Sequence, residues 1–258
     1  MESHRPEARK LRICVAGITG WVGRPVADAI KAAADLDLVS GVARSDADFS
    51  SVADALDAVP TDVLVDYTSA AAVKGNVEAA IQRKVAVVIG TSGLSDTDFA
   101  DIEALARERG VGVIAGGNFS LTAALMLRCA VEVARHLQCW EVMDYASAGK
   151  SDAPSGTARE LAERLGAVHA PTLEIPIEAV QGLRDARGAT VRETQVHSIR
   201  LPSFVVSTEV VFAAEGERLS LRQDAGESPA PYVGGTLLAI RAVPGRVGLT
   251  RGLDQLLS

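Results

Sequence analysis

Residues 11–34, LRICVAGITGWVGRPVADAIKAAA, change their period in the middle. The first six are mostly apolar and include two β-branched residues, as in a strand buried on both faces. From Arg24 onward, Val26, Ala27 and Ile30 fall at helical spacing. Between the two lies Gly17-Ile-Thr-Gly20-Trp-Val-Gly23. A strand, a glycine turn and a helix in that order begin a βαβ unit. Glycines at the turn permit a tight bend and close approach of a pyrophosphate, whose charge is met by free amides at the helix start. Gly17, Thr19, Gly20, Trp21, Val22 and Gly23 are therefore candidate cofactor contacts. Their G-x-x-G-x-x-G spacing differs from the commoner G-x-G-x-x-G, so the weight rests on the flanking strand and helix.

The alternation continues through LDLVSGVAR, DVLVDYT with AAAVKGNVEAAIQRK, VAVVIGTSG with DTDFADIEALARERG, and VGVIAGGNFS. Apolar strands separated by amphipathic helices need crossover connections and give a parallel sheet covered on both faces. The expected fold is a doubly wound, Rossmann-like α/β domain. After Ser120 the rhythm changes. A long helical pattern, the strand QCWEVMDYAS and the helix ARELAERLG precede a stretch broken by Pro and Gly. Strands joined by turns with no helix between them then run through residues 194–224. This predicts a second, α+β domain with a mixed sheet. The expected division is a loose tail over 1–10, a dinucleotide-binding domain over 11–120 plus 231–258, and a second domain over 121–230.

The second strand ends with Ala43, Arg44 and Ser45, where dinucleotide sites commonly place a carboxylate for the adenosine ribose. An arginine there suits a 2′-phosphate, paired by Arg44 and hydrogen-bonded by Ser45, which favours NADPH while leaving NADH possible. The alternative is a solvated Arg44, with Asp46 or Asp48 serving the ribose. The loops holding Gly90, Thr91 and Ser92, and Gly117, Asn118 and Phe119, follow the fourth and fifth strands, at the edge where open α/β sheets bind ligands.

The 258 residues carry a formal charge of −7, with 48% hydrophobic and 23% charged residues. Such a chain is globular and lacks the basic surface needed for nucleic acid or an anionic membrane. An anionic ligand must find local positive charge. Three cysteines, with Cys14 in an apolar run and Cys129 in a helical pattern, read as reduced thiols. The polar start and the lack of a membrane-spanning run predict a cytoplasmic protein acting on a small molecule, with no metal.

The glycine turn with Arg24, VDYT (which places Tyr67 and Thr68), IGTSG, GGNFS, KSDAPSGTA and VHSIR occur in an order and spacing that resemble the dihydrodipicolinate reductases, from about Leu11 almost to the end. The resemblance implies a nucleotide-binding domain completed by the C-terminal helix, a central substrate and oligomerisation domain, and a homotetramer. It also implies hydride transfer from NAD(P)H to a cyclic, carboxylate-bearing substrate of lysine biosynthesis.

One departure stands out. The family signature resembles His-His-x-x-Lys-x-Asp-x-Pro-Ser-Gly-Thr, and this chain has Ala146 and Ser147 where the histidines fall. In the family the first histidine is associated with proton donation and the second with substrate contact. No histidine follows Arg200 either; the four present are His4, His136, His169 and His197. Lys150 survives, and burial can turn an ammonium into a general acid. Ser155, Gly156 and Thr157 precede a helix whose start can bind a carboxylate. Thr157 with Glu160 also fits a capping box, which would occupy that hydroxyl. Tyr145 and Ser147 complete the candidate substrate contacts, with core packing and strand-end bonding as their structural alternatives. The reading is an NADPH-dependent reductase of C=N, or of conjugated C=C, bonds with a non-standard substrate. The alternatives are a true lysine-pathway reductase with a substitute acid, and a silent NADPH-binding paralogue.

Overall fold

The computed structural model describes residues 9–257. The expected tail over 1–10 falls almost wholly outside them, as does His4. Two compact units emerge, Met1–Ser120 with Pro229–Ser258, and Leu121–Ser228.

The first unit is built on a six-stranded sheet. Its strands are β1 (Leu11–Ala16), β2 (Leu36–Val42), β3 (Val63–Asp66), β4 (Ala86–Ile89), β5 (Gly112–Ala115) and β11 (Gly248–Arg251), in the order β11-β5-β4-β3-β1-β2. Every pairing is parallel. Crossovers pass through α1 (Gly23–Ala32), α2 (Val52–Ala58), α3 (Val73–Gln82) and α4 (Asp96–Arg109), and α7 (Ala230–Ala242) precedes β11. β3, β4 and β5 are buried at every position, as expected of strands covered on both faces. Local signals set the helix ends. Ser95 and Asp98 form a reciprocal capping box at the start of α4, and Gly110 ends it in the left-handed region at φ 67°. The fold is thus Rossmann-like, with two elements beyond the sequence expectation: the short α2, capped by Ser51, and the edge strand β11.

The second unit carries a five-stranded mixed sheet, β10-β9-β6-β8-β7. The strands are β6 (Cys139–Ala146), β7 (Ala189–Val191), β8 (Thr194–Arg200), β9 (Val206–Ala214) and β10 (Glu217–Ala225). Only β6 and β8 run parallel. β6 alternates strictly between half-buried and buried residues, so one face meets the helices. On that face Trp140 and Val142 join Leu127 of α5 (Leu121–Ala134) and Leu161 and Leu165 of α6 (Gly156–Gly166) in one apolar core.

Candidate active site

In a parallel sheet all carboxyl ends lie on one edge, and the loops after β1 to β5 therefore gather there in the first unit. The glycine turn is held by Gly17 N–H to the Val42 carbonyl at 2.8 Å and Gly20 N–H to the Gly17 carbonyl at 2.8 Å. Gly17 has φ 80°, and a Cβ on it would stand 2.2 Å from the Tyr67 carbonyl oxygen; one on Gly23 would stand 2.0 Å from that of Gly17. These two glycines are required by the protein's own packing. At Gly20 the nearest atom to a built Cβ is the Gly17 carbonyl at 3.0 Å, followed by that of Tyr67 at 4.0 Å. Helix α1 begins with no side-chain cap and no acidic residue in its first turn. The amides of Trp21 and Val22 meet no acceptor among the described residues. A glycine cradle ending in uncapped amides and free of carboxylates fits a dinucleotide pyrophosphate. Trp21 stands 60% exposed beside the cradle, with Tyr232 edge-on at 6.0 Å.

Beyond β2, Arg44 and Ser45 are exposed, and Arg44 makes no ion pair among the described residues. Asp48 turns back to accept from Gly41 N–H at 2.9 Å, and Asp46 sits at φ 58°. Asp48, one of the alternative ribose ligands, is thus already engaged in holding its loop.

Asp66, which is not among the candidate contacts, closes β3 fully buried. It accepts from Thr68 N–H at 3.0 Å, Thr68 Oγ1 at 2.7 Å, Thr91 Oγ1 at 2.6 Å and Asn76 Nδ2 at 2.8 Å. This knot ties the loop after β3 to the loop after β4. Its signal was a lone acid ending an apolar strand, where burial demands partners. Thr68 and Thr91 direct their hydroxyl protons to Asp66, and Thr68 N–H is shared between Asp66 and Thr91 Oγ1, so the knot is closed on itself.

The side chains of Tyr67 and Phe119 are packed into the protein's interior, so only their main chain can line the cofactor edge. The Tyr67 hydroxyl lies 2.6 Å from Thr236 Oγ1, whose own proton goes to the Tyr232 carbonyl at 2.8 Å, so Tyr67 donates. Its ring occupies the space a Cβ on Gly90 would need, with Phe119 edge-on at 6.3 Å, and burial pushes its hydroxyl pKa up. Phe119 is 2% exposed. Ser92 and Gly117 are exposed, and Asn118 Oδ1 accepts from Ser120 N–H at 2.8 Å.

In the second unit the organising group is Asp144, also unforeseen from sequence. Fully buried, its Oδ2 accepts from Arg200 Nη2 at 2.7 Å, Ser155 N–H at 2.9 Å and Ser198 Oγ at 2.9 Å. Burial alone would raise its carboxyl pKa; the hydrogen bonds from Arg200, Ser155 and Ser198 outweigh that and hold it below the usual range. Arg200 Nη2 also donates to the Asp152 carbonyl at 2.8 Å. The segment carrying Lys150 is therefore held at Asp152 and again at Ser155. Asp144 Oδ1, Arg200 Nε and Thr208 Oγ1 have no hydrogen-bond partner among the described residues. Thr208 faces Asp144 across the β6–β9 pair. They form a buried polar spot beside the start of α6 that the protein leaves unsaturated.

Lys150 Nζ pairs with Asp152 Oδ1 at 2.7 Å, and its side chain is 29% exposed. The amine is therefore partly exposed and ion-paired, where a burial-activated general acid is expected to be enclosed. The cap of α6 is Ser155, whose Oγ accepts from Ala158 N–H at 3.3 Å. Thr157 is instead the second residue of the helix, so the Thr157–Glu160 capping box is not formed. Gly156 opens the helix with open space where a Cβ would be. Ser147 is exposed, its carbonyl taking the Lys150 N–H at 3.0 Å, and Ala146 is buried.

Tyr145 belongs elsewhere. Neighbours on a strand face opposite sides, so Tyr145 points away from Asp144 and the α6 start. Its ring lies between Phe204 at 5.3 Å and the Arg222 guanidinium at 4.7 Å, and its hydroxyl donates to Glu209 Oε2 at 3.1 Å. Burial and Glu209 raise its pKa. No described histidine fills the gap. His136 lies 3.5 Å from Glu132, His169 Nε2 bonds the Ala134 carbonyl at 2.7 Å, and His197 Nε2 bonds Glu141 Oε2 at 2.7 Å.

Among the described residues no helix is long and apolar enough to cross a membrane. Residues 11–119 match the family model for the N-terminus of dihydrodipicolinate reductase, and residues 122–257 match that for its C-terminus. The chain is 36% identical over 250 residues to the 4-hydroxy-tetrahydrodipicolinate reductase of Cutibacterium acnes, covering 96% of this chain and 98% of that protein. Identity to the enzyme of the same name from Moorella thermoacetica is 34% over 264 residues, covering 96% and 98%. A dipicolinate-bound dihydrodipicolinate reductase from Paenisporosarcina sp. TG-14 superposes with a TM-score of 0.83 at 25% identity, covering 96% of this chain and all of that one.

Proposed function

This chain belongs to the dihydrodipicolinate reductase family and is an NAD(P)H-dependent oxidoreductase; from that premise we propose that it is an NADPH-dependent reductase of C=N, or conjugated C=C, bonds in a non-standard small substrate. The observation that carries this reading is the contrast around β6. The Lys150–Thr157 segment is anchored by Asp144 and Arg200, while every described histidine is bonded elsewhere.

In this reading the first unit binds the dinucleotide. The amides of Trp21 and Val22 receive the pyrophosphate within the Thr19–Gly23 turn, and Arg44 and Ser45 take a 2′-phosphate. Backbone of the loops at Thr68, Gly90–Ser92 and Gly117–Asn118 lines the same edge of the sheet. Bound NADPH supplies the hydride. The second unit binds the substrate, with a carboxylate received by Ser155, Gly156 and Thr157 at the α6 start and Ser147 beside it. Lys150 holds a proton at Nζ beside the ionised Asp152 and releases it to the reduced atom; the partly exposed amine then recovers a proton from solvent. Alanine and serine in place of two imidazoles leave the pocket smaller in side chain and less polar. A substrate with more bulk or fewer anionic groups suits such a pocket. A homotetrameric assembly belongs to the same reading on the family resemblance alone, and a cytoplasmic location on the reduced cysteines.

A second reading, the lysine-pathway reaction with Lys150 as substitute acid, is favoured by the identity to named 4-hydroxy-tetrahydrodipicolinate reductases along almost the full chain. One screen separates the two. NADPH oxidation is followed with cyclic imines, with keto acids plus amines, and with 4-hydroxy-tetrahydrodipicolinate, beside a Lys150→Ala variant. The proposal expects a cyclic imine to exceed the lysine-pathway substrate in kcat/KM and Lys150→Ala to lose most of that activity. Preference for 4-hydroxy-tetrahydrodipicolinate supports the second reading. NADPH binding without turnover of anything in the panel points to a silent paralogue.

A further inference from the structure

A cleft of about 420 Å³ opens at the edge of the parallel sheet opposite the glycine turn, beside the amino-terminal ends of β1, β4 and β5. In a chain of net charge −7 it is lined by Arg9, Lys10, Lys84, Arg109 and Arg246, with Asp62 as the sole carboxylate among its lining residues. That carboxylate is already taken. Arg9 and Arg12 both reach it at 2.9 Å, so the trio is net positive. Arg109 is matched by Glu108 at 3.4 Å. Lys10 and Lys84 make no ion pair among the described residues, and Arg246 reaches only Thr250 Oγ1, at 3.4 Å. Among the lining residues Arg9 offsets Asp62, and Lys10, Lys84 and Arg246 contribute one charge each, leaving three, with Arg12 behind Asp62 adding to the positive surroundings.

The ordinary explanation for such cations is that they offset helix dipoles, since α3, α4 and α7 with its following turn end here. Three carboxyl-terminal ends carry about −0.5 each, roughly −1.5 in all. That leaves an excess of about +1.5, which helix ends do not account for. The excess is gathered in a concave space of ligand size. We propose that this cleft is a binding site for a small polyanion bearing three or more charges on phosphate or carboxylate groups, distinct from the dinucleotide site at the opposite edge of the sheet. Binding there does not compete with NADPH, and it weakens with rising salt, because the cations are largely exposed. The inference does not depend on the reductase activity.

The test is calorimetric titration of the full chain, presaturated with NADPH, using inorganic tripolyphosphate in one arm and citrate in another at constant ionic strength. Saturable one-to-one binding is expected, and the stronger arm identifies the group that carries the charge. Lys84→Asn and Arg246→Gln are each expected to weaken it about threefold to fivefold, the range of an exposed ion pair. Asn suits Lys84 because that residue holds φ 58°. Arg44→Ala, at the other edge, is expected to leave it unchanged. Lys10→Gln serves as a further test if the other two variants fold poorly. Absence of saturable binding in both arms overturns the proposal, as does binding that survives these substitutions or disappears with Arg44→Ala. Preference for a single-stranded oligonucleotide over either small anion overturns it too.

Discussion

Arg200 and Asp144 sit on adjacent parallel strands, and the arginine grips the aspartate twice, through Nη2 to Oδ2 at 2.7 Å and through Nη1 to the main-chain carbonyl at 3.3 Å. Because the same Nη2 also holds the Asp152 carbonyl, the pair fixes the loop that carries Lys150. Removing one partner of a buried pair leaves the other uncompensated and typically costs about 3–5 kcal/mol. Asn still accepts a hydrogen bond, so Asp144→Asn is expected to cost about 2–4 kcal/mol, read from denaturant midpoints at unchanged slope. The native Asp144 carboxyl titrates below its unfolded value, so the unfolded state binds more protons as pH falls. Its contribution is full above the unfolded pKa, about 3.9, and is lost as pH falls through the native value. Wild type and variant should therefore converge in stability at acid pH. A constant gap down to the lowest pH would mean that the charge is not what stabilises the pair.

Local period carried most of the architecture. The switch from strand to helix across the glycine turn reads directly, and so does the loss of helices between strands after residue 194. Element α2 escaped because VADALDA makes only two turns, and β11 because GLTR acquires strand character from pairing with β5, Leu249 opposite Val113. At the site, the sequence marked the loops but not the groups that hold them. Asp66 and Asp144 each end or nearly end a strand, and their importance comes from burial, which only the assembled sheet creates. Tyr145 lies on the face opposite Asp144, as the two-residue alternation of β6 dictates, which favours its structural alternative. Thr157 and Glu160 matched a capping pattern, but Ser155, fixed by Asp144 through its amide, starts the helix earlier.

Arg44 tests the cofactor assignment. An exposed guanidinium with no ion pair among the described residues is available to a 2′-phosphate, and charge-assisted hydrogen bonds contribute about 1.5–3 kcal/mol. Arg44→Ala should weaken NADPH roughly tenfold to a hundredfold while changing NADH less than about threefold. The change in fluorescence of the reduced nicotinamide on titration offers the readout for both nucleotides. An equal loss for both nucleotides would remove the case for phosphate recognition.

Tyr67 distinguishes a packing role from a ligand contact. Its hydroxyl donates to Thr236, whose proton is directed to the Tyr232 carbonyl, so Tyr67→Phe removes one neutral hydrogen bond and leaves the ring under Gly90. A loss of about 1 kcal/mol in stability is expected, with NADPH affinity within about threefold of wild type. A large drop in affinity with stability unchanged would show the hydroxyl acting on the nucleotide directly.

Two glycine-to-alanine substitutions should move stability in opposite directions. Gly75 lies on the exposed face of α3 with nothing within 4 Å of a built Cβ, so alanine there adds no contact and reduces the freedom of the unfolded chain. Gly75→Ala is expected to stabilise by about 0.5–1 kcal/mol without touching nucleotide affinity. Gly23 opens α1 at ordinary helical angles, and its constraint is spatial, because a Cβ would come within 2.0 Å of the Gly17 carbonyl oxygen and 3.2 Å of Ile18 Cα. Both neighbours are main chain, and neither can swing aside as a flexible side chain would. The turn must open, which displaces the amides of Trp21 and Val22 from the position that fits a pyrophosphate. Gly23→Ala should therefore lower stability by about 1–3 kcal/mol, the range for overpacking, and reduce nucleotide affinity at least tenfold. Titration and denaturant melts on both variants check this together. Normal nucleotide binding by folded Gly23→Ala would mean that the turn yields without losing its shape, and that the close approach of α1 to β1 is not what builds the cradle.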